Sequence, residues 1–546
     1  MESYRDDNGV TRHNVLYNLG RLDMLKADQS FVTALKKLCN LIEIPLLEER
    51  EKSLQDCSEA VMLNYGYVAY AALWEKLGIA RCLEHFQENG RIQFNLGQAV
   101  FLMAVQHLLN PRSKLSTYKH QDSYFNLPEL GLQHLYRALN ILASNKETIE
   151  KMLFADNHLK VGQKVDVVFY DVTTFAFQSF KVDEIRNFGF SKDCKFNEVQ
   201  VVMGLLIDHE GMPIGYELFP GNTFEGKTMV ASLENLKKKF SINRVVIVAD
   251  RGINSKNNLS LIKEAGYGYI VASKIRTLRK SVKERILNEE GYTVVNEGFR
   301  YKVMDYENTF KDEEKKLHCL TEHLIVSYSE KRALKDRSDR ERLINKAGKL
   351  LATAGSIEAL SKRGGKKYLK SEGRQKNEWR LDQEKIKQDE LLDGYYGIQT
   401  SEMDMSAEEI INAYHSLWKI EDSFRVMKNT LEVRPVFHWN PERIKGHFVV
   451  CFLAFMMERK LESIISEYED IPKSVNDIRE ALNLMQFAMI EAGDKTIYIK
   501  TKHNRLGSLI FKKLKIKLPS NVNQKEQLEE CFRIGKKPLW GQLSLF

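Results

Sequence analysis

Two short apolar runs decide how this chain is read: Val165-Asp-Val-Val-Phe-Tyr-Asp171 and Arg244-Val-Val-Ile-Val-Ala-Asp250. Each is rich in β-branched residues and closed by an aspartate, the pattern of a buried strand that runs into a loop. In open α/β sheets, ligands bind beyond the carboxyl ends of strands, and both aspartates are expected there. Taken alone, either reads more readily as a turn-capping residue. A third carboxylate changes that balance. Glu421 sits within Tyr414-His-Ser-Leu-Trp-Lys-Ile-Glu421-Asp-Ser-Phe-Arg425-Val-Met-Lys428, which has helical period. Tyr414, Glu421 and Lys428 are seven apart, and seven residues make two turns with about 20° of drift, so the three share a face. Arg425, four residues after Glu421, joins them. A surface helix with Glu421 paired to Arg425 is the plain alternative. Against it, Leu417, Trp418, Ile420, Phe424 and Met427 spread apolar side chains around the helix. That predicts a largely buried helix, in which a glutamate needs a partner. Two strand-end aspartates and a helical glutamate can form one small pocket of hard oxygen donors. Such pockets hold divalent metal, the usual agent of phosphodiester chemistry.

The 546 residues are 43% hydrophobic and 29% charged, ordinary for a globular chain and enough for several domains. The net charge of +8 is unevenly placed. From Lys331 to Gln388 there are 18 Lys and Arg against 8 Asp and Glu, a local +10; from Lys495 to Pro519 there are 8 and none. Localised basic charge is the footprint of a polyanion-binding surface, although any single run reads as well as a solvated helix face. The seven cysteines are scattered, with no Cys-x-x-Cys or zinc-type spacing, and are expected to be reduced thiols of a cytoplasmic protein. The N-terminus has no signal-peptide core. The longest apolar stretch, Phe448–Met457, is too short to span a bilayer.

Along the chain the pattern predicts a hairpin segment over 1–28, then a helical region over 29–158. Within that region, Ala60–Leu77, Leu96–Leu109 and Leu135–Phe154 have helical period. Strands are expected at 165–171, 198–207, 213–219, 244–250 and 268–274, with helices at about 226–240 and 255–265. The first three strands read as an antiparallel meander and the later ones as parallel additions, giving a mixed sheet with helices on its faces. This α/β core, over 159–275, is interrupted by a β-rich insertion over 276–400. It resumes over 401–470 with the Glu421 helix, and a mixed basic region follows over 471–546.

Gly221-Asn-Thr-Phe-Glu-Gly-Lys227-Thr228 satisfies the P-loop pattern. The preceding strand, Pro-Ile-Gly-Tyr-Glu-Leu-Phe-Pro, is broken by Gly and Glu and closed by Pro. A P-loop strand is instead parallel and fully buried. A nucleotide triphosphatase using Lys227 is therefore an alternative rather than the preferred reading. His438 and His447 are too far apart for a helical metal pair and read as structural.

Together these motifs resemble the DDE transposases of bacterial insertion sequences, in particular the group marked by Tyr-x2-Arg-x3-Glu-x6-Lys. Here the signature is Tyr414-x2-Leu417-x3-Glu421-x6-Lys428, with Leu417 in the arginine position and Arg425 as the candidate replacement cation. Arg434-Pro-Val-Phe-His438, Arg443-Ile-x-Gly-His447, Asp250-Arg-Gly and the Gly-Asn-Thr motif at 221 are similar to the same group, which accounts for the P-loop look-alike without nucleotide. The resemblance implies a ribonuclease H-like core and explains the 171 residues between Asp250 and Glu421 as an insertion domain. It implies Asp171, Asp250 and Glu421 as catalytic ligands of Mg²⁺ or Mn²⁺, two ions in number, for cleavage at element ends and strand transfer. Tyr414, Arg425 and Lys428 would hold DNA phosphates beside them. The implied partners are terminal inverted repeats and target DNA, with a homodimer on DNA in the cytoplasm, at the nucleoid. A non-catalytic DNA-binding regulator derived from a transposase, or a metal nuclease without strand transfer, would share the fold.

Overall fold

The computed structural model describes residues 2–5, 10–14, 30, 33–35, 37–38, 59–159, 167–189, 197–223, 228, 240, 245–311, 317–352, 364–372, 378–433, 436, 438–468, 473–492 and 495–532. Most of the expected 226–240 helix lies outside the described residues.

The expected N-terminal hairpin is present: β1 (Glu2–Arg5) pairs antiparallel with β2 (Thr11–Asn14). Next comes β3 (Val61–Asn64), at the point where helical period predicts the start of a helix. It pairs with β15 (Gln486–Ala492), and the helix begins only at Val68. A partner more than 400 residues away overrides the local preference, and Gly66 permits the turn between strand and helix because a Cβ there would strike the Leu482 carbonyl. With β16 (Lys495–Lys500) and β17 (Val522–Asn523), these strands make a small sheet that ties the N-terminal helices to the C-terminal region.

The principal sheet has nine strands. β4 (Val167–Ala176) pairs antiparallel with β5 (Gln200–Asp208), and β5 with β6 (Pro213–Pro220). On its other side β4 pairs parallel with β7 (Val246–Ala249), and β7 parallel with β8 (Gly268–Ala272). This is the mixed ribonuclease H-like arrangement, a three-strand meander with two parallel additions. The segment between β8 and helix Ala407–His415, expected to be an insertion, adds β9 (Thr293–Asn296), β10 (Phe299–Lys311), β11 (Leu317–Ser329) and β14 (Tyr395–Thr400). These strands build no sheet of their own: β14 pairs with β8, so the sheet runs on as β6-β5-β4-β7-β8-β14-β11-β10-β9. A separate two-stranded ribbon, β12 (Leu369–Glu372) with β13 (Glu378–Leu381), accompanies the long basic helix Glu330–Ala352.

Strand alternation divides the sheet between two cores. Phe169 and Phe175 of β4, with Val246 and Val248 of β7, face a large core built on helix Pro441–Ile465. Val168, Tyr170 and Val172, with Ile247 and Ala249, face a smaller one. Helix Pro441–Ile465 starts at an Asn440 cap with Pro441 in the first turn, where a missing N–H costs nothing. It lies against helices Val68–Lys76, Leu96–Leu109 and Leu132–Phe154.

Gly446 of that helix abuts the Leu139 backbone, and an added Cβ would overlap the Leu139 carbonyl. Gly446→Ala is expected to destabilise the protein by about 1–3 kcal/mol, the cost of overpacking, seen as a lower melting temperature. Glu458, buried in the same helix, accepts a 2.7 Å hydrogen bond from the Tyr70 hydroxyl through Oε2, and its Oε1 has no partner among the described residues. Burial, reinforced by the charge of Glu462, pushes its carboxyl up from 4.5 to about 8. The folded state thus holds this proton more tightly than the unfolded chain. The stability it confers is complete below about pH 4.5 and is lost as pH rises through about 8. Glu458→Gln should therefore melt higher than wild type at pH 8, and the gap should close towards pH 4–5. A gap independent of pH would show that the carboxylate charge is not what costs stability.

Candidate catalytic site

Asp171 does not end its strand, as expected from sequence, but sits inside β4, which continues to Ala176. What ends nearby is the parallel pairing. Phe169 is the last β4 residue matched to β7, opposite Val248. Counting on by two from each places Asp171 beside Asp250, just past the carboxyl end of β7. Neighbouring strands lie about 4.8 Å apart, so the two carboxylates share one small region. By alternation both point to the face of Phe169 and Val248, towards the large core. Asp250 also caps its own turn, its Oδ1 accepting the Gly252 N–H at 2.8 Å, whereas Asp171 Oδ1 accepts the Val172 N–H at 2.7 Å within the strand. The turn-capping role and the candidate ligand role therefore coexist at Asp250 only.

The Asp250 loop is anchored from the inserted strands. Asn254 donates to Gln399 Oε1 at 2.8 Å and to the Ala272 carbonyl at 2.6 Å. Gln399 in turn donates to Glu322 at 3.1 Å, and Glu322 receives the Tyr269 hydroxyl at 2.5 Å. Burial raises the Glu322 carboxyl while these hydrogen bonds lower it. Glu322, Gln399 and Tyr269 are all buried, so this polar knot fixes β11, β14 and β8 together beneath the loop.

The expected single helix from 407 to 429 is divided. Helix Ala407–His415 starts at a Ser406–Glu409 capping box and packs on β7, β8 and β14. The chain tightens at Ser416 and Leu417, where Leu417 N–H bonds to the Tyr414 carbonyl at 3.1 Å and the Ser416 hydroxyl bonds back to Asn412. Helix Trp418–Arg425 follows, packed on β4, and widens into a π-turn over Val426–Thr430. The assumption of an unbroken two-turn spacing thus fails, yet the helices pack where the aspartates are. Tyr414 lies near Asp250: its hydroxyl receives one from Tyr396 at 2.6 Å, and burial, then Tyr396, then the Asp250 charge raise its pKa. It stays a protonated donor. Lys428 lies over the Phe175 ring at 5.7 Å, on the Asp171 face of β4.

Glu421 is exposed, contrary to the buried helix expected. The apolar residues do cluster inward (Ile420, Phe424, Met427), but Trp418 is 60% exposed and belongs to Glu421's side. Among the described residues Glu421 has no hydrogen bond or ion pair. Its neighbour Asp422 is fully engaged instead: it pairs with Arg425 and accepts Arg459 at 2.7 Å. Arg425 is thus held by Asp422, not by Glu421, and its side chain is 73% exposed. Asp171 and Asp250 are thus adjacent by strand register, and the helix that carries the unpaired Glu421 packs on β4, but the three carboxylates do not lie within 4.8 Å of one another; all are oxygen donors of the kind a hard divalent cation takes.

The P-loop look-alike is excluded by its setting. β6 is the antiparallel edge of the sheet, and Thr228 is buried, its hydroxyl taking a 3.0 Å bond from Tyr170. The histidines read as structural pack together. His107, His438 and His447 form a buried cluster, with ring centres 5.2 Å apart for His107–His447 and 5.6 Å for His438–His447. No local signal pairs His107 with residues more than 300 positions away.

Comparison with known proteins gives the family. Residues 163–457 match the transposase DDE domain family. That is more than half of the chain, which therefore belongs to this family. Residues 1–43 match the N-terminal domain of IS1634 family transposases. The protein is a DNA transposase of the bacterial insertion-sequence type, a DDE enzyme. Among solved structures, the piggyBac transposase synaptic complex with hairpin DNA is similar at 8% identity and a TM-score of 0.34, covering 78% of this chain and 83% of that one. The Mos1 transposase paired-end complex follows at 11% identity and 0.15, covering 31% and 57%. No curated protein matches.

The contrast between adjacent acids is testable. Glu421→Gln should abolish DNA cleavage without lowering the melting temperature. Asp422→Asn should lower stability by about 1 kcal/mol or more, from loss of a half-buried charged hydrogen bond, and leave measurable cleavage.

Proposed function

We propose that Asp171, Asp250 and Glu421 hold two Mg²⁺ or Mn²⁺ ions and that the enzyme cuts the ends of its element and joins them to target DNA. What supports this best is the register that sets Asp171 and Asp250 on neighbouring strands, with the helix of the partnerless Glu421 packed on the same β4. Metal bound there would supply Lewis acidity at the scissile phosphate and a nucleophilic oxygen at neutral pH. The chain's own groups do the rest. Tyr414 offers a hydroxyl hydrogen to a phosphate oxygen near Asp250. Lys428 places positive charge beside Asp171. Arg425, splayed outward from Asp422, reaches for the backbone further along the strand. The capped loop of Asp250 and the polar knot behind it keep the two aspartates in register before DNA arrives, which limits reorganisation during the reaction.

DNA is the partner, with a homodimer bringing two ends together. The basic 330–352 helix and the basic C-terminal region, with the 29–158 helical region, are the candidate end-binding surfaces. Among the described residues no helix is long and apolar enough to cross a membrane, and the proposed place of action is the cytoplasm, at the nucleoid.

Labelled DNA carrying the element's own ends, incubated with Mg²⁺ or Mn²⁺, gives the test. Wild type should cut at the repeat boundary. Asp171→Asn, Asp250→Asn and Glu421→Gln should each lose ~10²–10³-fold or more in rate, as expected for several kcal/mol of charge stabilisation, while a mobility shift on the same DNA persists. Cutting that survives all three substitutions would place the chemistry elsewhere.

A further inference from the structure

A second site lies behind the catalytic helix. A cavity of about 330 Å³ opens between the end of helix Leu96–Leu109, residues 111–116, Glu432, His438 and helix Pro441–Ile465. Lys114, 3% exposed, projects into it. Its ammonium lies 2.9 Å from His107 Nε2 and makes no ion pair among the described residues. His107 donates from Nδ1 to the Leu431 carbonyl at 2.9 Å, so its Nε2 is an acceptor and takes one ammonium hydrogen. The other two have no protein acceptor among the described residues. A buried ammonium in that state is costly unless an anion completes it.

The other walls favour an anion as well. Arg112 stands at the cavity, and the Ser113 hydroxyl, which accepts the Ser116 N–H at 3.2 Å, has its own hydrogen left to give. His447 donates from Nε2 to the Val433 carbonyl at 3.0 Å, while its buried Nδ1 has no partner among the described residues and can accept the hydrogen of a monohydrogen phosphate, which a phosphodiester lacks. Glu432, the one carboxylate of the lining, is exposed at the rim. Burial holds the Lys114 ammonium down near 8, and an anion would restore its charge.

A metal fits these donors less well, although His107, His447 and Cys451 lie close enough to share one. The ammonium already occupies the space before His107 Nε2, His447 Nε2 is spent on Val433, and burial pushes the Cys451 thiol up to about 12, far from thiolate.

We propose that this cavity binds a single phosphate group, held by Lys114 and Arg112. The group is either a free phosphate or a phosphodiester of bound DNA; only the second source rests on the proposed function.

Titration of the full-length protein with inorganic phosphate, followed by calorimetry and by melting temperature, tests the first source. Binding that falls at least ~10-fold in Lys114→Met and in Arg112→Gln supports the site, the loss expected when a charge-assisted contact to phosphate is removed. Duplex DNA titrated across salt concentrations tests the second. Weaker affinity in both variants, with a salt slope reduced by about one, supports a backbone phosphate. Arg112→Gln keeps the test valid if Lys114→Met fails to fold. Phosphate binding unchanged by either variant, or absent together with unchanged DNA affinity and slope, overturns the proposal. Loss of cleavage in Glu421→Gln bears on the catalytic site alone.

Discussion

The parallel pairing of β4 with β7 is the constraint on which the rest of the site depends. It is a short match, from Val167–Val246 to Phe169–Val248, and a slip of one residue would turn either aspartate to the opposite face. What prevents the slip is the two-sided burial of both strands. Each has one set of β-branched and aromatic side chains in the large core and another in the small one, so a shifted register would mispack both. Asp171 and Asp250 are kept side by side by hydrophobic packing that contains no functional residue.

The inserted strands have a mechanical part in this arrangement. Because β14 extends the core sheet, Gln399 reaches Asn254 in the loop that Asp250 begins, and Glu322 and Tyr269 stabilise Gln399 from behind. A fully connected buried polar network specifies one arrangement in a way an apolar contact does not. The same segment carries the strongly basic 331–388 stretch.

Much of the core was legible because its strands are continuous apolar runs with distinct ends, and because family motifs mark the three acids. The β4 boundary was not legible: Asp171 interrupts apolar character without interrupting the strand, since the antiparallel pairing with β5 continues to Ala176. The burial of Glu421 was misjudged for a related reason. Counting apolar residues around a helix overlooks exposed tryptophan, and Trp418 lies outward. The helix break at Ser416 and Leu417 depends on a serine hydroxyl bonding backward and on packing across several strands, neither of which has a periodic signature. β3 and the histidine cluster depend on partners hundreds of residues distant.

The catalytic helix is also gripped from its far end. After the π-turn that contains Lys428, the chain's carbonyls are taken in order by side chains of three helices: Thr430 by Arg479, Leu431 by His107 and Val433 by His447. Carbonyls at a helix end normally turn to water or to a cap; here they are bonded inside the protein, which fixes both the exit direction and the rotation of the helix about its axis. Burial keeps both imidazoles well below their ordinary pKa, so this grip is made by neutral rings and persists across the working pH range. The cavity of Lys114 is walled by those same two rings. An anion bound there would therefore act on the same two rings that hold the end of the Glu421 helix.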